Sequence, residues 1–354
     1  MTCEEPARQR FRLGRLMAAA SLAICAPAAA REPSRPAPLT IASQGSFEAG
    51  GRVQGEGVDA LSCDHGHVEY QIPAHPRAVP MFLWHSSSAA VWQRRWDGGE
   101  GFQSLLLRRG YPTYVWDGPR VGRANYGCAD YTYRAIPGRD RQNFLAWRFG
   151  TEYKHWFPGL QFPTRSEEAW EQATRARYDE FDTVENAQLE SDAAAKALDR
   201  IGPAVLLTNS AGGFRAFLTA LKTRNVAGIV AYETPGFVFP IGEGPQTAPG
   251  IFGPVYVSQA EFAKLTTIPI QLVWGDNVDK FAGWSASYRL SQQFVDVVNA
   301  HGGHAEILRL PDRGLRGNSH IPFADLNNAA VAGLLDEFLH RNGLDRRGPA
   351  RPHR

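Results

Sequence analysis

Cysteine is scarce in this chain of 354 residues, four in all, and no Cys/His spacing looks like a zinc site. No Gly-x-Gly-x-x-Gly follows the first strand candidates, and Gly212-Gly213 makes no phosphate loop, which argues against nucleotide binding. Nothing points to a metal or a cofactor. There is no internal repeat. The one candidate membrane segment, residues 16–26, is too short for a comfortable span. Charge of one sign is lacking too. The formal net is +2, with +2 on residues 1–30, +4 beyond Asp345 and −4 on the body between. A mildly acidic body argues against nucleic-acid binding, which wants a basic face.

What is present is ordinary globular material, 43% hydrophobic and 21% charged, enough for one large α/β domain or two smaller ones. Arg8, Arg10, Arg12 and Arg15 precede the apolar run, and Ala28, Ala29 and Ala30 precede Arg31. That pattern reads as a signal peptide over residues 1–30, with an Ala-rich extension as the alternative. The expected location is outside the cytoplasm, periplasmic or secreted. Lipidation at Cys25 is disfavoured because Ile24 is bulky where a small residue is needed. Removal of residues 1–30 leaves Cys63 and Cys128. Two cysteines in an exported chain suggest one disulfide, here tying the cap region to the first strands; two free thiols are the alternative.

Residues 31–64 read as a linker and N-terminal extension, with residues 46–53 and 67–73 as opening antiparallel strands. Strand candidates at 78–84 and 111–116 flank a short helix at 102–109, a parallel crossover unit. Residues 124–182 are too long for a plain loop and read as an inserted cap with helical patches near 143–149 and 167–178. Alternation then resumes: helix 184–200, strand 204–208, helix 213–224, strand 226–233. A second excursion covers about 234–262. Strand 268–274, helix 284–300, strand 304–310 and helix 326–341 follow, and 343–354 reads as a basic disordered tail.

The chain is organised around Ala204-Val-Leu-Leu-Thr-Asn-Ser210-Ala-Gly-Gly213. A buried strand that stops at a serine and turns at once into a helix lifts the hydroxyl out of the sheet. It also aims the helix's first N–H groups at a developing oxyanion.

This order resembles the α/β-hydrolase superfamily over roughly 65–342. The residues that carry the likeness are Trp84-His-Ser-Ser87, the stretch from Asp117 to Arg123, Thr208-Asn-Ser-Ala-Gly212, Trp274-Gly-Asp276 and Gly317-Asn-Ser-His320. The resemblance implies a mostly parallel twisted sheet flanked by helices, with a cap inserted. It departs from the family's Gly-x-Ser-x-Gly at Thr208, and the usual His-Gly oxyanion loop reads His85-Ser86.

A nucleophilic Ser210 needs a base and an acid. Among ten histidines, His320 sits in a polar loop before the last helix, where a ring can hang over the elbow. His85 reads as structural, and His301, His304 and His340 as solvated. The superfamily's usual acid position points to Asp276. Glu233, however, ends the strand next to the nucleophile's strand, at the sheet edge where sites form. A smaller exported serine esterase branch uses a glutamate there. The match to it extends through Gly110-Tyr-Pro-Thr-Tyr-Val115, Trp274-Gly-Asp-Asn277 and Leu310-Pro-Asp-Arg-Gly314. Glu233 is therefore preferred, with Asp276 as the alternative. The oxyanion donors expected are the N–H groups of Ala211 and of Ser87, or Ser86 in its place. The implied activity is hydrolysis of a carboxylic ester through an acyl-enzyme. The alternatives are lactonase or amidase chemistry, or a binding protein that kept the fold. The partner expected is a small ester, with an apolar or aromatic part inferred from the Trp, Phe and Tyr content of the two excursions. Oligomeric state is left between monomer and homodimer.

Overall fold

The computed structural model describes residues 37–124, 126–131, 134–245 and 250–348. The expected signal peptide over residues 1–30, Cys25 and the end of the expected basic tail lie outside the described residues. The compact unit that carries the fold begins at Leu39.

The chain opens with strands β1 (Ile41–Gln54), β2 (Leu61–Pro73) and β3 (Met81–Trp84), then helices α1 (Ala90–Gln93) and α2 (Phe102–Arg108), then β4 (Thr113–Asp117). The first excursion carries α3 (Arg139–Ala146) and α4 (Glu167–Arg175). After it come α5 (Val184–Ile201), β5 (Ala204–Asn209), α6 (Ala211–Ala220) and β6 (Val226–Tyr232). The second excursion holds β7 (Val238–Pro240), β8 (Val255–Val257) and α7 (Gln259–Phe262). The chain closes with β9 (Pro269–Trp274), α8 (Ala282–Ala300), β10 (His304–Arg309) and α9 (Asn328–Arg341).

Eight strands form one sheet in the order β1-β2-β4-β3-β5-β6-β9-β10. The β1/β2 and β2/β4 pairs are antiparallel, and every later pair is parallel. The parallel strands are apolar on both faces because helices cover both. Val205 and Leu207 of β5 face one core layer, with α2 and α9; Ala204 and Leu206 face the other, with α5 and α6. Burying each valine or leucine there is worth roughly 1.5–3 kcal/mol. The sheet therefore supplies a rigid floor whose parallel strands β3, β5, β6 and β9 all end at one edge.

Two stretches differ from the sequence reading. The strands read at 46–53 and 67–73 do pair antiparallel, but β1 begins at Ile41, inside the stretch read as linker, and is the sheet's longest strand, paired with β2 from Ile41↔Pro73 to Gln54↔Leu61. Alternate residues from Ile41 to Ala49 are half-buried because α5 lies beside this strand. Arg200 of α5 sits 4.0 Å over the Phe47 ring, and a Cβ at Gly50 would meet Ala193 Cα at 2.5 Å. The second excursion, read as irregular, holds the small parallel β7–β8 sheet.

A disulfide joins Cys63 of β2 to Cys128. The Asp64 carboxylate beside it accepts the Cys128 N–H at 3.1 Å and the Arg120 guanidinium at 3.0 Å. In the cap, Phe144, Trp147, Phe149, Phe162 and Trp170 are buried in one of the two core layers, and Phe149 lies 4.6 Å from Phe162. These rings pack the cap onto the body in the same layer as α2 and α9, so they do not by themselves make an apolar substrate pocket. Among the described residues no helix is long and apolar enough to cross a membrane.

Candidate active site

Ser210 stands between the last residue of β5 and the first of α6 with φ 52° and ψ −128°. A serine with positive φ is strained by its Cβ and persists only where the surroundings hold it. Its N–H donates to Tyr232 O at 2.9 Å, and its carbonyl accepts the Gly213 N–H at 2.9 Å. The turn also needs close approach. A Cβ on Gly213 would fall 2.5 Å from Thr234 Cβ. Thr208, where the family has glycine, is buried. Ser210 itself is half-buried. Ala211 opens α6, so its N–H belongs to the first turn, which lacks intrahelical partners.

Glu233 follows β6 directly, is fully buried and also has positive φ, 58°. Its carboxylate accepts the Gly275 N–H at 2.5 Å and the Arg148 guanidinium on both oxygens. Oε2 lies 3.4 Å from His320 Nδ1. Burial works against the Glu233 charge, but Arg148 and His320 outweigh it, and the pKa stands below the ordinary value.

His320 lies in the loop between β10 and α9 and is 3% exposed. Its N–H donates to Trp147 O at 3.0 Å, and its carbonyl accepts Asn209 Nδ2 at 3.1 Å. The second bond ties the histidine loop to the residue just before Ser210. The Trp284 ring packs on the imidazole with centroids 4.3 Å apart. Burial lowers the imidazole pKa, Glu233 opposes that, and Arg148 adds to it; the net is below 6.5. Among the described residues no side chain is hydrogen-bonded to Ser210 Oγ.

Asp276 does not meet the imidazole in a hydrogen bond. Its Oδ2 accepts the Gly317 N–H at 3.0 Å, its Oδ1 the Asn277 N–H at 2.9 Å, and its carbonyl accepts Arg148 Nε at 2.9 Å. It braces the turn that leads to His320. A buried carboxylate, Asp325, holds the far side of that loop through Ser319 N–H at 2.7 Å, Ser319 Oγ at 2.8 Å and Trp96 Nε1 at 3.1 Å.

On the other side of the elbow lies the loop after β3. His85 Nε2 lies 2.7 Å from Asp117 Oδ1, and both are buried. The Ser86 hydroxyl donates to Glu180 at 3.0 Å. The Ser87 carbonyl accepts the Tyr178 N–H at 2.5 Å. His85 thus has a structural partner of its own, as its place in the chain suggested.

The sequence reading missed Arg148, Trp284 and Asp325. Arg148 had one available signal: a charge inside the aromatic run Trp147-Arg-Phe149, where an unpaired arginine would not be buried. Its partner, 85 positions away, carried none. No group of three or more His, Cys, Asp or Glu is placed to hold a metal ion among the described residues.

No family model matches the chain. A probable secreted lipase of a fungal species (strain ATCC 74256) is 22% identical over 313 residues, covering 77% of this chain and 84% of that protein. The solved structure of a novel bacterial esterase is 27% identical with a TM-score of 0.70, covering 88% of this chain and 99% of that one. The strand order and the strained serine between β5 and α6 agree with that likeness: the chain has the α/β-hydrolase fold and is similar over most of its length to a bacterial esterase.

Proposed function

We propose that Ser210, His320 and Glu233 form the catalytic triad of a carboxylic ester hydrolase. The observation that carries the reading is the buried imidazole of His320. It is held on Nδ1 by Glu233, and its loop is tied through Asn209 to the residue before Ser210.

His320, kept neutral by burial, takes the Ser210 proton as Oγ attacks the ester carbonyl. Glu233 fixes the tautomer by accepting from Nδ1 and stabilises the imidazolium as it forms. The N–H groups of Ala211 and Ser87 receive the oxyanion, each worth on the order of 3 kcal/mol of barrier. The imidazolium then protonates the leaving alcohol, and water repeats the steps on the acyl-enzyme. The Ser210–His320 hydrogen bond forms in the complex with the ester. Asp276 serves the loop, not the reaction.

The substrate is a small ester. The disulfide fits an oxidising compartment, and with the N-terminal pattern it supports export. Ser210→Ala is the direct test, with a chromogenic ester panel of varied acyl length. Turnover should vanish for every ester; a variant that keeps most of its rate removes Ser210 from the mechanism.

A further inference from the structure

A buried charge cluster lies beside the elbow and takes no part in the proton transfers. Arg215 lies just over one turn into α6 and is 3% exposed. Its Nη1 and Nη2 reach Glu180 Oε2 at 3.2 and 3.1 Å, and Nη2 reaches Asp182 Oδ1 at 3.4 Å. Its Nε lies 3.3 Å from Glu190 Oε2 of α5. Burial works against the arginine's charge, and Glu180, Glu190 and Asp182 more than offset that, so it stays charged.

Glu180 faces two ways. The oxygen that accepts Arg215 also accepts the Ser86 hydroxyl at 3.0 Å. Glu180 belongs to the irregular segment between α4 and α5. Two residues earlier, that segment gives its Tyr178 N–H to Ser87 O and sets the Tyr178 ring edge-on to His85 at 5.6 Å. The loop His85–Ser87 is thus held at each residue: by Asp117, by Glu180 and by Tyr178.

The two oxyanion donors sit on different parts of the chain, Ala211 at the start of α6 and Ser87 on the loop after β3. A path of direct side-chain contacts, Arg215–Glu180–Ser86, joins those two parts. We propose, on the basis of the esterase reading above, that Arg215 and Glu180 are positioning residues that set the spacing of the two oxyanion donors. Burying so many charges costs desolvation, and apolar side chains of similar volume would pack at least as stably. What directional ion pairs and a hydroxyl bond supply is registry. An oxyanion hole needs that, because its donors act at 2.7–3.1 Å from one point.

The test uses Ser86→Ala, which deletes one hydroxyl and leaves the ion pairs, and Glu180→Gln as a second variant, each with Ser210→Ala in parallel. The readouts are kcat and KM on a chromogenic ester, the affinity for a trifluoromethyl ketone that needs the oxyanion hole, and the acid limb of the pH profile. We expect kcat to fall about tenfold with KM unchanged, the ketone affinity to fall by the same factor, and the acid limb to stay in place. A kcat loss under about threefold in both variants, or a loss confined to KM, overturns the proposal. If Ser210→Ala keeps turnover, the esterase reading itself fails. If Ser210→Ala is inactive while Ser86→Ala and Glu180→Gln run at full rate, only the positioning role fails.

Discussion

Replacing Arg148 with methionine would leave the Glu233 carboxylate buried with its main counter-charge gone. Both side chains are fully buried. The guanidinium makes two hydrogen bonds to Glu233 and one to Asp276 O. Truncating one partner of such a pair costs about 3–5 kcal/mol, because the remaining charge has lost both water and partner. In a chain of this size that is a fall of roughly 4–7 °C in Tm. Removing both charges is different. In Arg148→Met with Glu233→Gln no charge is stranded, so the double variant should be more stable than Arg148→Met alone. Urea or thermal unfolding of the wild type, both single variants and the double variant measures this coupling directly. The sign of the pH dependence follows from Glu233. Its folded pKa is lowered from 4.5, so its stabilising contribution is present above that value and is lost as pH falls through the folded value. If the double variant loses as much stability as the two single losses added together, the two charges are uncoupled and the reasoning is refuted.

Other outcomes follow from the same geometry. Glu233→Gln should lower kcat by about a thousandfold or more while Asp276→Asn stays within about tenfold of wild type, read in ester turnover on variants shown folded by their melts; the opposite order would make Asp276 the acid. The acid limb of kcat/KM should lie below pH 6.5, because burial lowers the His320 pKa from that value and a neutral base survives to lower pH; a limb at or above about 7 contradicts this. Replacing Cys63 and Cys128 by serine opens a link across 65 positions and should cost about 4 kcal/mol of stability, seen in the denaturation midpoint.

The parts legible in the sequence were those whose cause is local. The elbow can be read because a run of buried strand residues, a serine and two glycines are contiguous, and the structure puts Ser210 at φ 52° there. Glu233 and His320 could be singled out because each follows a strand whose position in the chain order is recognisable. The parts that could not be read depend on partners far apart in sequence. Arg148 meets Glu233 across 85 positions, and Arg215 meets Glu180 across 35. No local pattern records such a pairing. The first strand was read from Ser46 although it begins at Ile41, for another reason. β1 carries glycine and small polar residues, and its inward positions are only half-buried against α5, so the apolar alternation that marks a strand is weak. The cap aromatics were legible as apolar, but which of them pack the cap to the body was not, because composition does not say which way a ring faces.

The account rests on Ser210 as the nucleophile, and covalent labelling tests that most directly. A fluorophosphonate reacted with the mature protein and mapped by peptide mass spectrometry should leave a single adduct, on Ser210, with ester turnover lost in step with its formation. An adduct on another residue, or full turnover in protein labelled at Ser210, contradicts the mechanism.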